Sequence, residues 1–371
     1  MIDGPSVLLA RSVSESRQEP AGLEPFVDGY ADHYWFYGSG KAALRDGLTT
    51  IAEAGENVLV PAYLPDALVE PLSELDLEPR FYAITDSLAP DFPDLEALID
   101  DDTAAVTTIN YFGFPQPGLE EVASIADDHG CYHVDDNAHS PLSVDGDTLL
   151  GTRGDLGLTS LHKLFPVPNG AILYVADPAL GRRFEPSQLS GTSDRLEVDD
   201  YGYLLKSLAT DFLETHPSLR QSIDALVSRG NGDPVANPRD RYEASKVRMS
   251  KLTAQILETV DPETVRRTHR ETYRSWQRAL EGRSDVRPLF TDLPPGICPQ
   301  GCPVYADRPR AFLEVLEECD VDGAYTWPRL PVDVLEDVRY ETARRLSRHV
   351  VVLPVHQHVA REWIESVDRA S

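Results

Sequence analysis

Lysine is almost absent from this sequence. It occurs only at Lys41, Lys163, Lys206, Lys246 and Lys251, and every other basic side chain apart from histidine is an arginine. Basic charge as a whole is short: 34 Lys and Arg face 62 Asp and Glu, a net charge of −28. A surface of that sign repels polyanions, which excludes nucleic acid and anionic membranes as partners. It also suits concentrated salt, where the Debye length falls to about 3 Å, so a halophilic cytoplasm is expected.

Cysteine is scarce too, with Cys131, Cys298, Cys302 and Cys319. Cys298-Pro-Gln-Gly-Cys302 is a close pair, but no second pair completes a four-ligand zinc site, so reduced thiols and no metal are expected. No apolar run approaches the roughly 18 residues of a membrane span, and no basic-then-apolar leader opens the sequence. A soluble, cytoplasmic protein is expected. Internal repeats and low-complexity segments are also missing.

Hydrophobic residues make up 41% of the 371 and are spread along the whole length. That rules out a largely disordered chain and predicts two domains, each with its own core. From Gly38 to Val175, helix-like stretches alternate with short apolar runs at Asn57–Pro61, Pro79–Ile84, Ala104–Ile109, Cys131–Val134 and Ala171–Val175. This alternation predicts an α/β fold with a mainly parallel sheet covered on both faces. Helical spacing follows over Asp200–Arg229 and over Glu243–Leu280. The remainder mixes strand-like Pro303–Tyr305, Tyr325–Pro328 and His349–Pro354 with a helix near Pro309–Glu318, which predicts a smaller α+β domain. The boundaries read as an N-terminal arm at 1–25, a large domain at 26–245 and a small domain at 246–371.

Three segments carry chemistry. In Asp155–Gly170 an apolar run delivers Ser160 and Lys163, three residues apart, into a turn rich in Pro and Gly. A lysine there loses hydration and its ammonium becomes more acidic, as an imine-forming amine requires. An isolated lysine would more often snorkel from a strand end. Upstream, Cys131–Ser140 is an apolar strand that ends in two carboxylates and a histidine. Asp136 is placed to face the pyridinium nitrogen of pyridoxal phosphate, although Asp-Asp after a strand is more often a helix cap. Further upstream, Tyr37-Gly-Ser-Gly-Lys-Ala-Ala-Leu44 opens a helix with small residues. Its free N–H groups suit a phosphate, but its spacing is neither Walker nor Rossmann.

In this order the segments resemble the DegT-type family of sugar aminotransferases, over Gly38 to about Leu173. The family's Ser-Gly-Thr-Ala-Ala-Leu turn is matched by Ser39-Gly40-Lys41-Ala-Ala-Leu44, with Lys41 in place of Thr. Its Glu-Asp-x-Ala-Gln/His motif is matched by Asp135-Asp-Asn-Ala-His139. Its Gly-Asp-x-Gly, followed by Ser and the Schiff-base Lys, is matched by Gly154–Gly157, Ser160 and Lys163. Looser matches are Val60-Pro-Ala-Tyr63, Asn110-Tyr-Phe-Gly113 in place of His-x-x-Gly, and Leu353-Pro-Val-His356. The Ser-to-Lys spacing of three is shorter than in many members, and the Asn-Tyr-Arg segment is replaced by Lys246-Val-Arg248.

The resemblance implies the type I pyridoxal-phosphate fold, with a mixed, mainly parallel seven-stranded sheet in the large domain. Lys163 then forms the Schiff base, Asp136 pairs with the ring nitrogen and His139 touches the ring hydroxyl. Ser39, Gly40, Lys41 and Ser160 hold the phosphate, and Tyr63 can stack on the ring. Lys246 could neutralise phosphate across a homodimer. The implied reaction moves an amino group, with glutamate the expected donor, to a keto sugar nucleotide. The alternatives are an aminotransferase for a small non-sugar ketone and a cofactor-free regulatory or scaffolding relative. The family's dehydratases carry His where this chain has Lys163.

Overall fold

The computed structural model describes residues 22–204 and 238–369. Residues 1–21 of the expected arm, and most of the helix expected over Asp200–Arg229, lie outside the described residues. The first described element is a short helix, Leu23–Asp28, whose Leu23 and Val27 are buried.

The main sheet is built from β1 (Tyr34–Tyr37), β2 (Asn57–Pro61), β3 (Glu78–Tyr82), β4 (Thr103–Ile109), β5 (Tyr132–Asp136), β8 (Leu156–Ser160) and β9 (Ala171–Val175), in the order β1-β9-β8-β5-β4-β2-β3. A two-residue hairpin, β6 (Val144–Asp145) with β7 (Thr148–Leu149), lies outside it. Strands β3, β2, β4, β5 and β8 run parallel, while β9 and β1 are antiparallel to their neighbours. All residues of β2, β4, β8 and β9 are buried. Such strands are covered on both faces, which is why their sequences read as continuous apolar runs rather than as alternation. In the ladder Asp136 lies opposite both Ile109 and Leu158. The ends of β4, β5 and β8 therefore open at one edge, where ligands bind in sheets of this kind.

A second sheet holds β10 (Val286–Pro288), β11 (Gly301–Ala306), β12 (Tyr325–Thr326) and β13 (Val350–Pro354) in the antiparallel order β10-β11-β13-β12. Helices Pro262–Ala279, Pro309–Glu318, Glu341–His349 and Arg361–Arg369 accompany it. Trp276 Nε1 donates to the Pro354 carbonyl at 2.8 Å, and Tyr340 donates to Phe81 O of the main sheet at 2.8 Å. Among the described residues no helix is long and apolar enough to cross a membrane.

Two expectations need correction. The helical run over Glu243–Leu280 is three helices, Pro238–Ala244, Lys251–Leu257 and Pro262–Ala279. Each restart has its own cap: Ser250 Oγ accepts from Thr253 N, and Asp261 Oδ1 accepts from Glu263 N just before a proline at the first helical position. The reading also passed over β1, Tyr34-Trp-Phe-Tyr37, which pairs with β9.

Candidate active site

Ser39 caps the helix Gly40–Ile51 and accepts from Ala42 N at 3.2 Å. The first-turn donors beyond that cap have no partner within the helix. A Cβ on Gly40 would come within 2.7 Å of Ser160 Oγ, so the glycine lets the helix start touch the end of β8. A Cβ on Gly38 would meet Val247 O at 2.4 Å, and Gly38 N donates to that carbonyl at 3.0 Å. The turn is thus held between β8 and segment 245–248 of its own chain. Ser39 Oγ also donates to Ser245 Oγ at 3.3 Å.

After Ser160 the chain makes a tight 3-10 turn, Leu161–Lys163, fixed by Leu161 N donating to Gly170 O at 2.9 Å. Gly170 N in turn donates to Gly38 O at 2.8 Å, which ties the lysine loop to the phosphate-type turn. Burial lowers the Lys163 ammonium below the ordinary lysine value; the Asp136 carboxylate opposes that shift and Lys41 adds to it. Among the described residues the Lys163 ammonium makes no hydrogen bond.

Asp136 ends β5 and is buried. Its Oδ1 accepts from Ala138 N at 2.7 Å. The crevice it shares with Leu44, Val60, Leu64, Thr107 and Ile109 has only about 10 Å³ of free space, no more than one water can fill. Burial accordingly raises the carboxyl to about 6, even with the Lys163 charge pulling it down. Asp135 does different work. Its carboxylate accepts from Asn110 Nδ2 at 2.6 Å, Gly151 N at 2.8 Å and Arg153 N at 3.1 Å, and so braces the loops around the site.

His139 is buried, and Nδ1 accepts from Phe112 N at 2.9 Å. Burial and the nearby Lys163 charge hold its pKa well below the ordinary histidine value. A neutral ring accepting at Nδ1 carries its proton on Nε2. Trp327, brought from the second sheet, sets its ring edge-on against His139 (5.2 Å), Phe112 (5.1 Å), Tyr111 (6.0 Å) and Tyr63 (5.1 Å). Tyr63 is fully buried, with its hydroxyl donating to Trp327 O at 2.8 Å.

Lys41 is half-buried; burial and Arg241 lower its ammonium, and its Nζ lies 5.9 Å from the Tyr242 ring centre. Lys246 is ion-paired inside its own chain, at 2.7 Å from Glu74 and 2.9 Å from Glu243. Cys298 and Cys302 are fully buried, and burial pushes the Cys298 thiol up to about 12 and raises Cys302 further, so neither is a ready nucleophile. Ser39, Gly40, Lys41, Asp136, His139, Ser160 and Lys163 therefore gather at one sheet edge, with Tyr63 in the aromatic wall. Asn110, Tyr111, Phe112 and Trp327 complete that wall. In the sequence the first three stand out only as a loop match, and the role of Trp327 leaves no sign, because it lies more than 200 residues further on.

Comparison with known proteins adds the family. Residues 26–209 match the model of the DegT/DnrJ/EryC1/StrS aminotransferase family. Similar folds include DesV of S. venezuelae, with TM-score 0.68 and 17% identity over 99% of this chain and 92% of that one. PseC of Helicobacter pylori, an aminotransferase involved in the biosynthesis of pseudoaminic acid, has TM-score 0.68 and 15% identity over 100% of this chain and 96% of that one. The E. coli GDP-4-keto-6-deoxy-D-mannose-3-dehydratase, solved with bound hydrated PLP, has TM-score 0.62 and 14% identity over 98% and 94%. The chain belongs to the DegT/DnrJ/EryC1/StrS aminotransferase family and is a pyridoxal-phosphate-dependent transaminase.

Proposed function

We propose that this transaminase delivers an amino group to a keto sugar nucleotide, with glutamate as the donor, in amino-sugar biosynthesis. The observation that carries the reading is the meeting of buried Asp136, at the end of β5, with half-buried Lys163, in the turn after the neighbouring parallel strand β8, each shifting the other's protonation. The residues fit pyridoxal phosphate on independent grounds. A small-residue helix start touches Ser160 through Gly40, a buried carboxylate waits without a fixed cation, and a neutral imidazole offers one donor.

When bound, the cofactor supplies an electron sink for the carbanion formed at substrate Cα. The protein's own groups supply the rest. Asp136, ionised against the protonated ring nitrogen, keeps the proton there. Lys163 Nζ, acidified by its surroundings, is the amine that would hold the cofactor and, when free, would take and return the proton at substrate Cα. His139 Nε2–H would donate to the ring hydroxyl. Backbone N–H groups of Gly40 and Lys41, the Ser160 hydroxyl, the Ser39 hydroxyl once turned from Ser245, and the Lys41 charge would receive the phosphate. Tyr63 walls the ring pocket through Trp327.

The sugar substrate is supported by the keto sugar nucleotide in the name of the E. coli dehydratase and by the pathway of PseC. The presence of Lys163, where the family's dehydratases carry His, favours transamination over dehydration. As part of the same reading we take a cytoplasmic, halophilic homodimer, with the small domain starting at residue 246. Lys246, held by two carboxylates of its own chain, would have to leave them to reach a partner's phosphate.

The test is the visible spectrum of protein purified in high salt with pyridoxal phosphate. A band lost in Lys163→Ala and bleached by glutamate supports the reading. A band that glutamate leaves unchanged removes the donor, and no band removes the cofactor site proposed at Lys163.

A further inference from the structure

Tyr111 sits on the short loop between β4 and the helix Leu119–His129. The loop is pinned on both sides of it. Asn110 N donates to Asp136 O at 2.8 Å, and Asn110 Nδ2 donates to Asp135 at 2.6 Å. Phe112 N donates to His139, and Gln300 N from the second sheet's approach loop donates to Phe112 O at 2.9 Å. Phe112 holds φ +58° to make this possible, a left-handed conformation that a phenylalanine adopts only when its surroundings impose it. The Tyr111 ring is fixed as well, 5.5 Å from Tyr63 and 6.0 Å from Trp327.

At the end of this rigid mount is a hydroxyl with no partner. Tyr111 is fully buried, and its Oη is bonded to nothing among the described residues. Neighbouring hydroxyls are already committed: Tyr82 donates to Thr107 O and Tyr63 to Trp327 O, each at 2.8 Å. The Asp136 carboxylate is among the charges acting on Tyr111. A buried hydroxyl left unpaired costs about 1–3 kcal/mol, so a protein that holds one in place in its cofactor site gains by having something for it to bond. Tyr174 also has an unpaired buried hydroxyl, but it lies on β9 beside Tyr34, away from Asp136 and Lys163.

We propose that Tyr111 is a further cofactor contact, donating its O–H to the ring oxygen of pyridoxal phosphate beside His139. The inference rests on the cofactor site proposed above. Its chemistry follows from the acceptors available, because the phosphate oxygens are claimed by the Ser39–Lys41 turn and Ser160, and the protonated ring nitrogen is a donor. Two donors on one phenolic oxygen, His139 Nε2 and Tyr111 Oη, would favour its ionised form.

Tyr111→Phe keeps the ring packing and removes only the hydroxyl. In the cofactor-free protein the variant melts no lower than wild type, since it loses an unpaired group. It then binds pyridoxal phosphate about 10- to 100-fold more weakly, as expected for one hydrogen bond to a charged oxygen, and the pH midpoint of its visible band moves up. Tyr111→His, which keeps a ring N–H, recovers part of the affinity and serves if the phenylalanine variant misfolds. Affinity within twofold of wild type and an unchanged band midpoint overturn the proposal while leaving the Lys163 site intact. If wild type itself forms no band that depends on Lys163, the site reading and this inference fall together.

Discussion

The backbone N–H of Phe112 donates to Nδ1 of His139 at 2.9 Å, and their rings stack 5.4 Å apart, 4° from parallel. One contact fixes three things: the left-handed Phe112 backbone, the plane of the imidazole, and the tautomer with its proton on Nε2. His139→Ala removes the acceptor and leaves a buried N–H unpaired. A loss of about 1–3 kcal/mol of stability is expected from that group alone, measured by denaturant melts of the cofactor-free protein. His139→Asn, which can accept from Phe112, should recover most of it. Equal losses in the two variants would show that the contact does not hold the loop.

Asp136 predicts a conflict between stability and function. Its folded pKa of about 6 lies above the ordinary 3.8, because burial outweighs the attraction of Lys163. The folded state then binds the proton more tightly than the unfolded chain, so this group's contribution to stability falls as pH rises from about 4 to 6. Asp136→Asn removes the penalty. The cofactor-free variant should be more stable than wild type at pH 7, by up to about 3 kcal/mol for a shift of this size, with the gap closing toward pH 4. Its transaminase activity should be nearly abolished. A variant less stable than wild type at pH 7 would mean that the carboxylate is not held against its own desolvation.

Much of this site was legible because its signals are local. Ser39 caps a helix after a glycine, β2 and β9 are unbroken apolar runs, and Lys163 stands out where lysine is rare. Asp136 was singled out at the end of its strand and matched by the family motif, but the reason that it and not Asp135 faces the site was not legible. Successive residues of a strand face opposite ways, and only the fold shows that Asp135 turns to Asn110 and two backbone N–H groups while Asp136 turns to the crevice. Trp327 left no trace in local sequence, since it reaches the site through the packing of one sheet on another. The split of the Glu243–Leu280 run was within reach: Asp261-Pro262 is an ordinary helix start that periodicity alone overlooked.

Lys41, where the family pattern has Thr, tunes its neighbour. Its charge lowers the Lys163 ammonium further than burial does alone. In Lys41→Thr that push is lost, the ammonium pKa of Lys163 rises, and less free amine is present at a given pH. The rate at which cofactor-free protein captures pyridoxal phosphate should fall near neutrality, and its pH midpoint should move to higher pH. Stopped-flow capture rates across pH 6–10 measure this. A lower rate with an unmoved midpoint would assign Lys41 to the phosphate alone.

Gly40 offers the sharpest steric test, because the atom nearest to it is a single side-chain oxygen. A methyl group at this position would meet Ser160 Oγ at 2.7 Å, and next the Leu158 Cδ1 at 3.2 Å. Gly40→Ala should therefore push the Ser160 hydroxyl from its place and weaken cofactor binding by about tenfold or more, the scale of one lost hydrogen bond to a charged group. Ser160→Ala removes the obstructing oxygen but also a phosphate donor. If the two residues act through this contact, the double variant binds no worse than Ser160→Ala, a coupling that a double-mutant cycle reads directly. Additive losses would mean that the alanine acts on the helix start itself. Gly38→Ala is the control, since its methyl would meet the Val247 carbonyl at 2.4 Å, a backbone atom that truncating a side chain cannot clear.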